Sequence, residues 1–85
     1  MAKKFNCATI VVGDNKIFID SDTIADITLK SGVVYKKVRV VGTNMMGDGL
    51  RVVTTDGINE IPNKLIKSIK DSEVTDFPGI TVTKR

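Results

Sequence analysis

"VVYKKVRVVG", residues 33–42, is rich in valine and reads as one long strand by propensity. Strict alternation puts Val34, Val38 and Val40 on one face with Lys36. The other face then carries Val33, Tyr35 and Val41 with Lys37 and Arg39. Neither face is cleanly apolar. A long strand whose apolar side changes along its length is bent or bulged, as the strands of small barrels must be.

Working outward, "IADITLKSG" (24–32) alternates without a break: Ala25, Ile27 and Leu29 oppose Asp26, Thr28 and Lys30, and Ser31-Gly32 marks a turn. Downstream, "LRVVTT" (50–55) sets Leu50, Val52 and Thr54 against Arg51, Val53 and Thr55. Asp56-Gly57 is a strong hairpin signal. "INEI" (58–61) returns as a fourth strand and stops at Pro62, which cannot donate to a ladder. "NKLIKSIKDSE" (63–73) fits an amphipathic helix capped by Asn63, or a turn at 62–64 followed by a short strand over 65–70; the second continues the strand rhythm. Before this block, "CATIVV" (7–12) and "KIFID" (16–20) flank "GDN" as a further hairpin. The tail "DFPGITVTKR" (76–85) is ordered only where something covers it. The expected fold is all-β: a small, strongly bent, five-stranded antiparallel open barrel over 24–71. It has an extra N-terminal β segment (1–23) and a C-terminal tail (72–85).

Composition limits the chemistry. Eighty-five residues make one small domain, and a chain this short buries only about 60–65% of its unfolded surface. Such scaffolds normally need a staple, a metal or a partner subunit. Cys7 is the single cysteine and there is no histidine, so neither an internal disulfide nor a thiolate–imidazole zinc site is available. Association of copies is the remaining stabiliser. The basic, then apolar, start "MAKKFNCATIVV" is too short for a secretory leader, and no run approaches the roughly 20 residues of a membrane span. A cytoplasmic protein is expected.

No catalytic constellation is visible, and no enzyme, metal or cofactor is expected. The ten acidic residues form no spaced pair of the hydrolytic kind, and "GDGLRV" (47–52) lacks the rest of a phosphate-binding glycine loop. Lys3 and Lys4 could lower the pKa of Cys7, but a structural thiol is the expectation. Thirteen basic residues give a net charge of +3, compatible with a polyanionic partner or with a plain solvated surface. Lys36, Lys37 and Arg39 form one basic group, and Lys64, Lys67 and Lys70 another.

The stretch 24–69 resembles the Sm-like family (Sm, LSm and Hfq proteins). "ITLKSGVVYKKVRVVGTNMMGDGLRV" follows the outline of the family's first motif, with Gly32 as the turn, a long bent strand, a loop and an apolar strand opened by Leu50. "IPNKLIKSI" loosely matches the second motif. The resemblance implies an open barrel whose edge strands pair between copies to close a ring, with single-stranded, often uridine-rich RNA on loops facing the pore. Carried over by position, Asn44, Met45, Met46 and Asp48 (or Gly47) fall in the first RNA-binding loop. Asn63 and Lys64 fall at the second motif. No aromatic occupies the stacking position, and Lys37 stands where the family's bent strand often has glycine. The two methionines have two readings: one plugs the barrel mouth or a subunit contact, or they offer a polarizable platform to a base.

Overall fold

The computed structural model describes residues 6–73 and 79–84. Eight strands follow in chain order: β1 (Asn6–Val12), β2 (Asn15–Asp20), β3 (Ile24–Leu29), β4 (Val34–Thr43), β5 (Gly49–Thr54), β6 (Gly57–Pro62), β7 (Ile66–Asp71) and β8 (Ile80–Lys84). A single 3-10 turn, Asn63–Leu65, links β6 to β7. Five strands form one antiparallel sheet in the order β6-β5-β4-β3-β7, and three form a second in the order β1-β2-β8. The central block is thus a meander whose last strand returns to pair with the first. It stays open, because β6 and β7 pair with β5 and β3 but not with each other.

The broken alternation of 33–42 has a local cause. Ile27 lies opposite Tyr35 and Ala25 opposite Val38, so Asp26 faces two residues, Lys36 and Lys37. This β-bulge adds one residue to β4. It brings Tyr35 onto the face of Val38 and Val40, where it packs on the core, and leaves Val34 47% exposed. Lys37 adopts a left-handed backbone with φ of 52°. Its N–H donates to Asp26 Oδ1 at 2.9 Å, which together with Lys36 and Lys37 holds the Asp26 carboxyl below the usual carboxylate range. A second irregularity, at Val41, lets Gly42 face Arg51.

The position of Lys37 yields a prediction. A left-handed backbone costs an L-residue about 1–2 kcal/mol, while glycine adds about 0.5–1 kcal/mol of unfolded-state entropy. Lys37→Gly therefore gains up to about 1.5 kcal/mol, and Lys37→Val, β-branched at positive φ, loses stability. Thermal melts are expected to rank Gly above Lys above Val; a Gly variant less stable than wild type contradicts the bulge geometry.

The same device explains the ambiguous segment 63–73. Leu29 faces Ile66 while Thr28 faces Ser68, an irregularity that puts Ile66 and Ile69, three apart, both inside. A bulged strand here imitates helical spacing. The hairpin at Asp56-Gly57 is also displaced by one: Thr54 pairs with Gly57, so 55–56 are the turn and Gly57 begins β6.

The N-terminal segment and the central sheet share their burial. One apolar core runs through both sheets: Ala8, Ile10, Ile17 and Ile19 of the N-terminal hairpin are buried together with Ala25, Ile27, Val40, Leu50 and Val52. The hairpin supplies the second layer that a lone small sheet lacks. The tail is ordered by pairing, since β8 adds to β2 with Thr81 opposite Phe18; its residues 76–78 and 85 lie outside the described residues. Cys7 is half-buried, with Sγ 3.2 Å from the Asp20 carbonyl oxygen, and burial pushes its thiol pKa up. Lys3 and Lys4 lie outside the described residues. Among the described residues no helix is long and apolar enough to cross a membrane.

Candidate nucleic-acid interface

The β4–β5 connection, residues 44–48, is a braced turn. Gly47 N–H donates to the Asn44 carbonyl at 3.1 Å, and Asn44 N–H donates to the Gly49 carbonyl at 3.1 Å. Gly47 has φ of 74°, a backbone that its missing Cβ makes inexpensive. The side chains of Asn44 and Asp48 close the loop reciprocally. Asn44 Nδ2 donates to Asp48 Oδ1 at 2.8 Å, and Asp48 N–H donates to Asn44 Oδ1 at 3.1 Å. Gly49 sits beneath them, buried; a Cβ there would lie 2.9 Å from both Asn44 Nδ2 and the Ile61 carbonyl oxygen. Only glycine lets the loop seat so close to β6.

The consequence for the methionines is direct. With its base locked, the turn cannot fold its tip inward, and Met45 and Met46 are 97% and 83% exposed. Neither plugs the chain's own core. Two adjacent thioethers project from a rigid hairpin into solvent.

The second segment meets this loop. The 3-10 turn places Asn63 N–H 2.8 Å from the Asp48 carbonyl, which accepts it. Loop 44–48 and residues 63–64, fifteen or more positions apart in sequence, thereby form one surface. Asn63 is partly buried and its Oδ1 has no hydrogen-bond partner among the described residues. Lys64 is exposed beside it. Of the six residues expected at this surface, Met45, Met46 and Lys64 present side chains outward. Asn44 and Asp48 direct theirs at each other, and Asn63 holds its own partly inside. Sequence reasoning placed all six on loops but could not show that Asn44 and Asp48 are braces.

The other basic residues divide differently. Arg51 lies opposite Glu60 with Nε 3.6 Å from the carboxylate, and Arg39 is 3.9 Å from Asp22. Both are exposed surface pairs, worth little to stability. Lys67 and Lys70 are exposed along β7, and Lys36 and Lys37 on the bulge of β4. Lys36 and Lys37 do not converge on the methionine loop, which sits at the other end of β4 from the bulge. Among the described residues no group of three or more His, Cys, Asp or Glu side chains could hold a metal ion. Comparisons with protein-family models, with curated proteins and with solved structures find no match for this chain.

Proposed function

We propose that the chain is a cytoplasmic, ring-forming Sm-like protein that binds single-stranded, uridine-rich RNA and performs no catalysis. The observation that carries this reading is the hydrogen bond from Asn63 to Asp48, which brings the methionine turn against the 3-10 turn that bears Lys64. On that surface the Met45 and Met46 thioethers supply a polarizable apolar platform for a base. Lys64 supplies a cation for phosphate. The outer borders of β6 and β7 carry no strand among the described residues, and pairing β6 of one copy with β7 of the next satisfies both. A ring repeats the methionine pair once per copy, so weak single sites add as a multivalent surface.

Light scattering together with fluorescence anisotropy on labelled oligouridine tests this. A closed-ring mass is expected, with binding that weakens steeply with salt, by a log–log slope of about −0.7 per phosphate neutralised. Met46→Ala with Lys64→Glu is expected to weaken binding at least about tenfold, the equivalent of roughly 1.4 kcal/mol, without changing the mass. An intact ring with no affinity for oligouridine at low salt, or a stable monomer, rules the proposal out. One observation favours a second reading, a protein-interaction module without RNA affinity. Asn44 and Asp48 are engaged with each other instead of being free to read a base edge. Capture of one protein partner from nuclease-treated lysate, by a protein that ignores oligouridine, marks that outcome.

A further inference from the structure

We infer that the groove between the first half of β4 and the β5–β6 turn accepts an acidic peptide in extended conformation, added as a strand along residues 34–36 beside the Lys37 bulge. The basis is an unequal pairing. β4 has ten residues. On one side β3 accompanies it from Val34 to Arg39, whereas β5 pairs with it only from Arg39 onward. Residues 34–36 thus have a strand on one border and a groove of about 570 Å³ on the other. That volume lies within the range of ligand sites, and an unaccompanied strand border is the template for strand addition.

The two walls differ in chemistry. The β4 wall carries Val34, Tyr35, Lys36 and Lys37; the opposite wall carries Thr54, Asp56 and Asn59 at the hairpin, so two lysines face one carboxylate. The hairpin wall is rigid. Asn59 Nδ2 donates to Thr54 Oγ1 at 2.8 Å, Asp56 N–H donates to the same oxygen at 3.2 Å, and Thr54 Oγ1 donates to the Gly57 carbonyl at 3.2 Å. A fixed wall lowers the ordering cost of binding. On the β4 wall the bulge sets two lysines in succession, both exposed. Lysine on a free border rejects a like-charged strand, so a second copy docking by this same border would oppose lysine to lysine. An incoming strand bearing carboxylates reverses that term, and Val34, nearly half exposed, offers an apolar contact to the alternate side chains. The groove lies at the opposite end of β4 from the methionine turn, so its occupancy is independent of the proposed RNA surface.

The test uses the full chain, ¹⁵N-labelled, with a synthetic acetylated and amidated octapeptide of alternating valine and aspartate, and its valine–lysine counterpart. The acidic peptide is expected to shift the amide signals of residues 34–37 and 54–56 and to slow hydrogen exchange along 34–36. Lys36→Glu, at an exposed position that leaves the fold intact, is expected to bind about tenfold more weakly. The Met46→Ala, Lys64→Glu variant is expected to bind the peptide unchanged, which separates this site from the RNA surface. The inference is overturned if millimolar acidic peptide leaves these signals in place, or if the lysine peptide binds equally. It is also overturned if oligouridine moves residues 34–37 where the acidic peptide does not.

Discussion

Replacing Ile27 with alanine is expected to cost about 2–5 kcal/mol, a large share of the protein's stability. Ile27 is fully buried in β3, with Tyr35 of β4 on one side and Ile69 of β7 on the other. Truncating a buried isoleucine costs about 2–5 kcal/mol, because the transfer energy is lost and the cavity collapses only in part. A chain of this length has roughly 4–13 kcal/mol in total. The position sits between two bulged strands, whose backbones are already committed to one register and have little freedom to close the void. Urea denaturation followed by circular dichroism is expected to show a much lower midpoint with an unchanged slope. Val33→Ala is the control, since Val33 lies in the β3–β4 turn and is 50% exposed; it is expected to change stability by less than about 0.5 kcal/mol. Equal effects at the two positions contradict the assignment of the core.

The second large effect is expected at Gly79, where the chain enters β8. The backbone there is held on both sides: Gly79 N–H donates to the Asp71 carboxylate, and its carbonyl accepts from Asp20 N–H at 2.8 Å. A Cβ on Gly79 would overlap Oγ1 of Thr23 and approach its Cγ2 to 3.0 Å. Thr23 cannot swing away. It is buried, β-branched, and its hydroxyl donates to the Asp20 carbonyl at 2.7 Å. Gly79→Ala is therefore expected to cost about 1–3 kcal/mol through overpacking and to loosen β8 from β2. Thr23→Ala alone loses the hydroxyl's bond to the Asp20 carbonyl and its longer one, 3.4 Å, to the Gly79 carbonyl, together about 1 kcal/mol. Combined, the two are expected to cost less than their sum by about 1 kcal/mol, since removing the threonine side chain opens the space that the alanine needs. Strict additivity in the cycle means that Thr23 and Gly79 do not share this contact. Hydrogen exchange at 80–84 reads the loosening directly, because β8 is a border strand whose amides depend on β2 alone.

These two sites differ in how far the chain itself announces them. Ile27 was legible, because β3 alternates without interruption and period two needs no knowledge of neighbours. Gly79 was not, since nothing near 79 indicates that residue 23 lies against it. The candidate site divides the same way. Met45 and Met46 stood out as apolar residues between two glycines, yet only the reciprocal bonds of Asn44 and Asp48 force both to the outside. Asn63 and Lys64 were placed by resemblance. Their approach to loop 44–48 depends on one backbone hydrogen bond between segments fifteen residues apart.

The amino-acid sequence by itself determined that this protein is β, where most of its turns fall, and which alternating positions of β3 and β5 are buried. Those features follow from local backbone preference and from burial on one side of a two-residue period. Tertiary structure alone decided the rest: that Tyr35 and Val38 share a face, that Ile66 and Ile69 do so on a strand and not a helix, and that the N-terminal hairpin closes the core. The reason is that a bulge is defined by the partner strand. One residue facing two is a relation between chains of hydrogen bonds, and no single segment contains it.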